Sequence, residues 1–312
     1  MTAIVETPGG EPAGWPGLLH RLRTSGAVRE AAPIVRVYVR NRPAVVGALL
    51  LFGFGIVAAF APWIAPADPL QIELTREALF QPPSWDHLLG TDAQGRDVLS
   101  RTIFGARIAW QIVLAAIGIS IAVGVPLGLI AGYIGGKLDE LVIMRMVDAV
   151  MALPGLILIL AVTGALGPSI TNSMIIIGIV WSPAYARLTR GVVLSIKGEV
   201  YVEAARAVGA TPARIMRRHL LPNVVAPILV LASLSAASVI LVEAGLSFIG
   251  AGVQEPTPAW GSMVSSGYEK LIRRNGWAML GPAAAIILMV VAFNFVGDGV
   301  RDAFDPRLRN VR

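Results

Sequence analysis

The chain has 312 residues, of which 55% are hydrophobic and only 15% charged; soluble domains carry roughly 25% charged residues, so the composition is that of a multi-span membrane protein. There is no cysteine, which excludes disulfides and thiolate metal or redox chemistry. The net charge of +6 comes from loops between apolar runs, where Lys and Arg read as orientation signals and not as a nucleic-acid surface.

The first thirty residues, "MTAIVETPGGEPAGWPGLLHRLRTSGAVRE", lack the apolar core of a cleavable signal peptide. They are rich in Gly and Pro, and residues 1–43 are expected to form a largely disordered cytoplasmic tail. A helix needs about 20 apolar residues to cross a bilayer. The first such run is 44–65. A polar stretch over 66–107 follows, long enough for a small external insert. Within it, Thr91 with Gln94 makes a capping-box pattern that would start a helix and leave Asp92, Arg96 and Asp97 solvated.

The second span is expected at 108–136, where "GISIAVGVPLG" supplies small residues for close helix contact. From Ala149 to Ala186 the chain carries no charge and is too long for one crossing. The turn signal "GALGPSITNS" divides it, giving spans at 140–164 and 172–194. Arg145 and Asp148 are spaced to pair on one helix face near the inner end of the third span. A basic loop over 195–223 precedes a fifth span at 224–252, interrupted only by Glu243. An external loop at 253–275, a sixth span at 276–300 and a tail at 301–312 complete the chain.

Six spans place both termini on one side. That side would carry 19 of the 26 Lys and Arg residues, against 7 on the other, so the positive-inside rule puts both termini in the cytoplasm. Glu243 is the one acid that interrupts an apolar run. An acid at a helix centre costs about 3 kcal/mol, which makes Glu243 a candidate for a transport pathway or outer gate, with a helix–helix hydrogen bond as the equal alternative.

The cytoplasmic loop contains "EAARAVGATPARIMRRHLLPN", Glu203 to Asn223. Val200 to Val208 favours a helix with small residues at its centre. Gly209 suits the left-handed position that ends it. Thr211 offers an N-cap and Pro212 the first position of a second helix, while Pro222 restricts Leu221 before span five. Two short helices with a set bend at the membrane face are expected. The alternative is a basic interfacial element held by anionic lipid headgroups.

"EAARAVG" followed by "LLP" resembles the EAA loop of ATP-binding-cassette (ABC) importer permeases. Glu203, Ala204, Ala205, Gly209, Leu221 and Pro222 fall on that pattern; His219 stands where the general pattern has Ile. "RHLLPN" (Arg218 to Asn223) is similar to the dipeptide/oligopeptide/nickel branch. So are "LGTDAQGRDVLSRTIFGAR" (Leu89 to Arg107) and "AGYIGGKLDELVIMRMVDAVMALPGL" (Ala131 to Leu156). "EAGLSFIGAGVQEPTPAWG" (Glu243 to Gly261) and "FDPRLR" (Phe304 to Arg309) resemble the C-type subunit of that branch. The resemblance spans about Arg40 to Arg309.

The resemblance implies an all-α type I importer permease fold and a bacterial cytoplasmic (inner) membrane location. It implies a heterodimer with a B-type permease, two cytoplasmic ATPase domains docked on the EAA loop, and an external substrate-binding protein. It points to short peptides as substrate, with nickel, glutathione or another small solute as alternatives. The chain itself has no phosphate-binding loop: the nearest match, "AGYIGGKL", has Ala131 and Leu138 at two required positions. Its three histidines, His20, His87 and His219, are far apart and make no metal motif. No nucleophile with a base motif appears. The chain is therefore expected to be non-catalytic and without a cofactor, with ATP and Mg in the ATPase subunits. A stand-alone secondary transporter is the alternative from another class. It predicts charged relays or inverted repeats within spans, and it leaves the basic loop unexplained.

The chain has no native cysteine to label, so orientation is open to direct measurement. A cysteine at Thr211 should react with an impermeant thiol reagent only from the cytoplasm, and one at Thr257 only from outside; the opposite pattern would sink the six-span reading.

Overall fold

The computed structural model describes residues 34–75, 77–271 and 276–304. The expected disordered tail up to Pro33, Arg76 and most of the "FDPRLR" ending lie outside the described residues. Apart from one isolated bridge between Thr91 and Asp97, regular structure among the described residues is helical. A short helix over 34–40 leads to α1 (Arg42–Ala59), and α2 (Ala61–Ile64) follows. Asn41 caps α1 by accepting a hydrogen bond from the Ala44 amide at 3.2 Å, and Pro43 occupies the first turn. The described residues of 65–97 form the insert and contain no helix.

Next in chain order are α3 (Val98–Ile134), α4 (Met144–Met151), α5 (Gly155–Leu166) and α6 (Ile170–Ile196). A π-helical turn, Leu138–Ile143, precedes α4. Then come α7 (Val200–Ala207), α8 (Pro212–Ile215), a second π-helical turn (Met216–Leu220) and α9 (Leu221–Phe248). α10 (Trp260–Leu271) and α11 (Trp277–Phe304) end the described chain. Among the described residues four helical stretches are long and apolar enough to cross a membrane: α1, α3, the run Pro212–Phe248 and α11. The bent pair Leu138–Met151 and Gly155–Leu166 makes a fifth if taken as one span. α6 has 27 residues, about 40 Å at 1.5 Å per residue, but Arg187 and Arg190 interrupt its apolar character.

Several local expectations give way to tertiary structure. The capping box at Thr91 does not form. The Thr91 hydroxyl donates to the Ala78 carbonyl at 2.6 Å and accepts from the Gln81 amide at 2.8 Å, tying the insert to itself. The cap of α3 is Asp97, which accepts from the Ser100 amide at 2.7 Å, and Asp92, Arg96 and Asp97 are buried, not solvated. Arg145 does not pair with Asp148; Asp148 meets Arg187 of α6 at 2.7 Å instead. Span three is not one helix: it breaks between Met151 and Gly155 and turns through 91°, at Leu153–Pro154, where proline disfavours helix in the residue before it. Pro222 does not end a helix. α8, the π-turn and α9 run on as one helical stretch, because the widened turn moves aside the preceding carbonyls that a proline ring would strike.

The longest helix contact is α3 against α6, and small residues set it. A Cβ added at Gly128 would lie 2.6 Å from the Thr189 Cβ, and one at Gly124 2.7 Å from the Tyr185 Cβ. Gly132, one turn further on, faces Val193, and Gly178 of α6 faces Ile119. Lipid offers no hydrophobic drive for helices to associate, so close packing of this kind carries the contact. Ser120 adds a hydrogen bond across it, donating to the Gly178 carbonyl at 2.8 Å. α1 packs on α11, where Asn41 donates to Asp302 at 2.9 Å. One buried cluster joins parts of α3, α5, α6, α9 and α11. A second, with Val125, Tyr185, Val193, Val202, Ile215 and Leu220, lies at the end that carries the 195–223 loop.

Replacing Gly128 with Leu forces the two longest-packed helices apart. It should destabilise the solubilised protein by about 1–3 kcal/mol or more, read as a lowered thermal transition, whereas Gly118→Leu, at a site with nothing within 4 Å, should be nearly silent.

Candidate functional site

The basic loop over 195–223 is a shaped element. α7 buries Val202, the second helix buries Ile215, and Leu220 follows; all three are fully buried against Tyr185, Val193 and Val224. The end of α7 is a Schellman motif: the Gly209 amide bonds to the Arg206 carbonyl at 3.0 Å and the Ala210 amide to the Ala205 carbonyl at 3.0 Å. Gly209 has φ +81°, a left-handed conformation that glycine accepts without strain. Thr211 then caps α8, and Pro212 begins it. Arg206 stacks over Tyr133 of α3 at 5.7 Å, and Lys197 donates to the Gly132 carbonyl at 3.1 Å. Asn223 donates to the His219 carbonyl at 2.7 Å. These contacts fix the loop on the adjoining ends of α3, α6 and α9.

The residues singled out in the sequence divide by where this anchoring leaves them. Glu203, Ala204, Gly209 and Pro222 are exposed. Ala205 and Leu221 are half-buried and pack inward on the Val202–Ile215 cluster. The outward surface of α7 and its turn is therefore Glu203, Ala204, Ala207 and Val208, with Val208 at 85% exposure. Val208 and the anchors Val202, Ile215 and Leu220 were not foreseen; the apolar spacing of Ile215 and Leu220 was the available signal. Glu203, Arg214, Arg217 and Arg218 form no ion pair among the described residues. The loop thus offers a small, partly apolar surface rimmed by unpaired charge.

Glu243 is not near this loop. It lies 21 residues beyond Pro222 along α9, about 30 Å at helical rise. It is buried, and it accepts a hydrogen bond from Ser247 of its own helix at 2.7 Å. Ser247 in turn accepts from the Val253 amide at 3.0 Å. Among the described residues no hydrogen bond joins Glu243 to another helix; its carboxyl group braces the turn that leaves α9.

The opposite end of the helix bundle holds a charged network that no local pattern announced. Arg96 donates to Asp92 at 2.7 Å and to Glu255 at 3.0 Å. Arg101 is fully buried, donates to the Pro69 carbonyl at 3.0 Å, and stands 3.5 Å from Asp92 and 3.7 Å from Glu255. Gln94 donates to Glu255 at 3.2 Å, and His87 pairs with Asp97 at 3.0 Å. The insert, the start of α3 and the loop after α9 are joined here. Burial pushes the Glu255 carboxyl upward, but the hydrogen bond and charge of Arg96, with Arg101 behind it, outweigh burial and hold it below the usual carboxylate range. Burial lowers Arg96, and Glu255 and Asp92 more than reverse this. Among the described residues no group of three His, Asp or Glu side chains is placed to hold a metal ion.

Residues 124–310 match the family described as the binding-protein-dependent transport system inner membrane component. The chain belongs to that family. Residues 33–83 match a second family, the N-terminal transmembrane domain of oligopeptide transport permease C. Among curated relatives, the di/tripeptide transport system permease protein DppC of Pseudomonas aeruginosa is 45% identical over 88% of this chain and 91% of its own length. The dipeptide transport system permease protein DppC of Alkalihalophilus pseudofirmus is 40% identical over 87% and 88%. The probable D,D-dipeptide transport system permease protein DdpC of Escherichia coli is 40% identical over 84% and 87%. Among solved structures, a chain of the inward-facing MetNI methionine ABC transporter aligns with TM-score 0.53 at 20% identity, over 67% of this chain and 97% of that one; this likeness concerns the fold alone. A family of binding-protein-dependent systems leaves the stand-alone secondary transporter without support.

Arg101→Ala strips one of two cations from the outer network. Breaking a buried pair in this way should cost about 3–5 kcal/mol, measured by thermal unfolding in detergent. Glu255→Gln should cost less, since that side chain is 38% exposed. Because the folded carboxyl lies below its ordinary 4.5, its contribution is present above that pH and is lost as pH falls through the folded value. The stability gap between wild type and Glu255→Gln should hold from neutral pH to about 4.5 and close below it.

Proposed function

We propose that this chain is the C-type permease subunit of an ABC importer of short peptides. The observation that carries the reading is full-length similarity to di- and tripeptide permeases, 45% identical over 88% of the chain in one case. In this reading the chain spans a bacterial cytoplasmic membrane six times, with α6 as the fourth crossing and both termini inside. It pairs with a B-type permease to form half of the translocation pathway. Two cytoplasmic ATPase domains bind ATP and Mg and supply the hydrolysis, and a substrate-binding protein delivers peptide to the outer face that bears the insert.

The coupling element is α7 with its Schellman turn. Its exposed Glu203, Ala204 and Gly209 support that assignment, as does the anchoring of Val202 and Ile215 beneath it. Ala205, Leu221 and Pro222 act from behind: the first two pack the loop onto the spans, and Pro222 sits where the loop enters α9. A partner that presses on the exposed face moves the inner ends of three spans together, because the buried face holds them all. Glu243 serves the outer end, where it fixes the exit from α9 that a gate would need to hold.

The test uses the whole complex. Gly209→Val forces a β-branched residue into the left-handed region, about 1–2 kcal/mol or more of strain, in open space where no clash contributes. Gly209→Val and Ala204→Trp should still insert and co-purify with the partner permease, yet lose ATPase recruitment or substrate-stimulated hydrolysis. Gly209→Ala should be milder. Neutralising Arg217 and Arg218 should matter less. If the arginine pair abolishes recruitment while the glycine and alanine variants couple normally, the loop is a lipid anchor and the coupling assignment fails.

A further inference from the structure

Three features meet on one face of α4, α5 and α6. The first is the break in span three. Met151, Ala152, Leu153 and Pro154 are all exposed, and the two halves meet at 91°. Non-helical backbone at membrane depth is not stable against lipid; it persists only where protein covers it or where it lines a water-filled cavity.

The second feature is a groove of about 590 Å³ beside the break, lined by Met151, Ala184, Arg187, Leu188 and Val192 among others. It shares Met151 and Ala184 with a neighbouring hollow of about 250 Å³, which reaches Leu153 and Gly155. The larger volume falls in the range of small-molecule sites, about 300–1,000 Å³.

The third is the Asp148–Arg187 ion pair, 2.7 Å long, with the two side chains 55% and 53% exposed. These two residues bound the charge-free run 149–186. A solvated pair of this kind contributes little to stability. The work of tying α6 to the start of span three is done elsewhere: Arg190 holds the buried Asp139 through both its Nε and an Nη, at 2.7 and 2.5 Å. Ionisable groups inside membrane proteins mark substrate routes and pair with one another there.

Resting on the peptide-import reading, we propose that this groove is the inner half of the aqueous route and that Asp148 and Arg187 are its charged contacts for the peptide. A peptide is a zwitterion, so it presents an ammonium and a carboxylate wherever it passes. Arg187 can exchange Asp148 for a carboxylate, and Asp148 can exchange Arg187 for an ammonium. No charge is left unpaired at either stage, and the pair closes again when the peptide leaves. The same exchange extends to charged side chains: Arg187 favours acidic peptides and Asp148 favours basic ones.

The test reconstitutes the chain with its partner permease, ATPase subunits and binding protein in liposomes. Initial import rates are taken at saturating loaded binding protein for three tripeptides with a neutral, an acidic or a basic central side chain. Saturation removes the binding protein's own preference from the comparison. Arg187→Gln should slow the acidic peptide relative to the basic one by about five- to tenfold, the scale of one charge-assisted hydrogen bond in a partly wet site. Asp148→Asn should shift the ratio in the opposite direction, and Arg187→Lys should preserve the wild-type ratio. Equal slowing of all three peptides, restored by the double exchange of Asp148→Arg with Arg187→Asp, would make the pair a mere structural latch and overturn the proposal. Unchanged ratios in both single variants would overturn it as well. If the wild-type complex imports none of the three peptides, the peptide-import reading itself fails and takes this inference with it.

Discussion

A bilayer offers no water to satisfy backbone amides and carbonyls, so each crossing segment must satisfy its own, and helices that meet must do so by shape. The architecture follows from these two demands. Gly124, Gly128 and Gly132 let α3 lie against α6 closely enough for backbone to touch side chain. That contact positions the inner ends of both helices, on which the Val202–Ile215–Leu220 cluster then rests. Two departures from regular helix inside this frame have a local cause. The π-turn at Met216–Leu220 accommodates Pro222, and the break after Met151 precedes Pro154.

Charge is handled differently on the two sides. At the end that bears the insert, Asp92, Arg96, Arg101 and Glu255 are gathered and paired, so that a stretch without described helices of its own is held by long-range contacts. At the end that bears the 195–223 loop, the basic side chains of the 206–218 segment are spread over an exposed surface without carboxylate partners among the described residues. A buried, compensated network favours one arrangement of the chain. An exposed, uncompensated surface is suited to a partner that brings the opposite charge.

The parts legible in the sequence are those encoded by neighbours. Gly209, Thr211 and Pro212 stand within four residues, and their backbone preferences alone specify a helix end, a cap and a helix start. The apolar runs announce helices, because the lipid requirement acts on composition over about twenty residues. What escapes is encoded by distance. Arg96 and Glu255 are separated by 159 residues, and nothing around either one names the other. Asp148 has an Arg at helical spacing in Arg145, yet it pairs with Arg187 of another helix, 39 residues away. Pro222 misleads for a related reason: a proline reads as a stop unless the preceding turn is widened, and no residue type signals a π-turn.

The union of α8, the π-turn and α9 has a mechanical consequence. The stretch Pro212–Phe248 has 37 residues, about 55 Å of helix. Its two weak points, the π-turn and Pro227, both fall in the half nearer the 195–223 loop, whereas the segment from Ile228 to Phe248 contains no proline. Such a body bends near one end and is stiff along the rest, like an oar held close to its handle. A tilt of about 5° at the inner end would sweep the outer tip by about 5 Å over that length. The tip is where Ser247 links Glu243 to the Val253 amide, so the residue least expected inside a membrane stands where the stroke is longest.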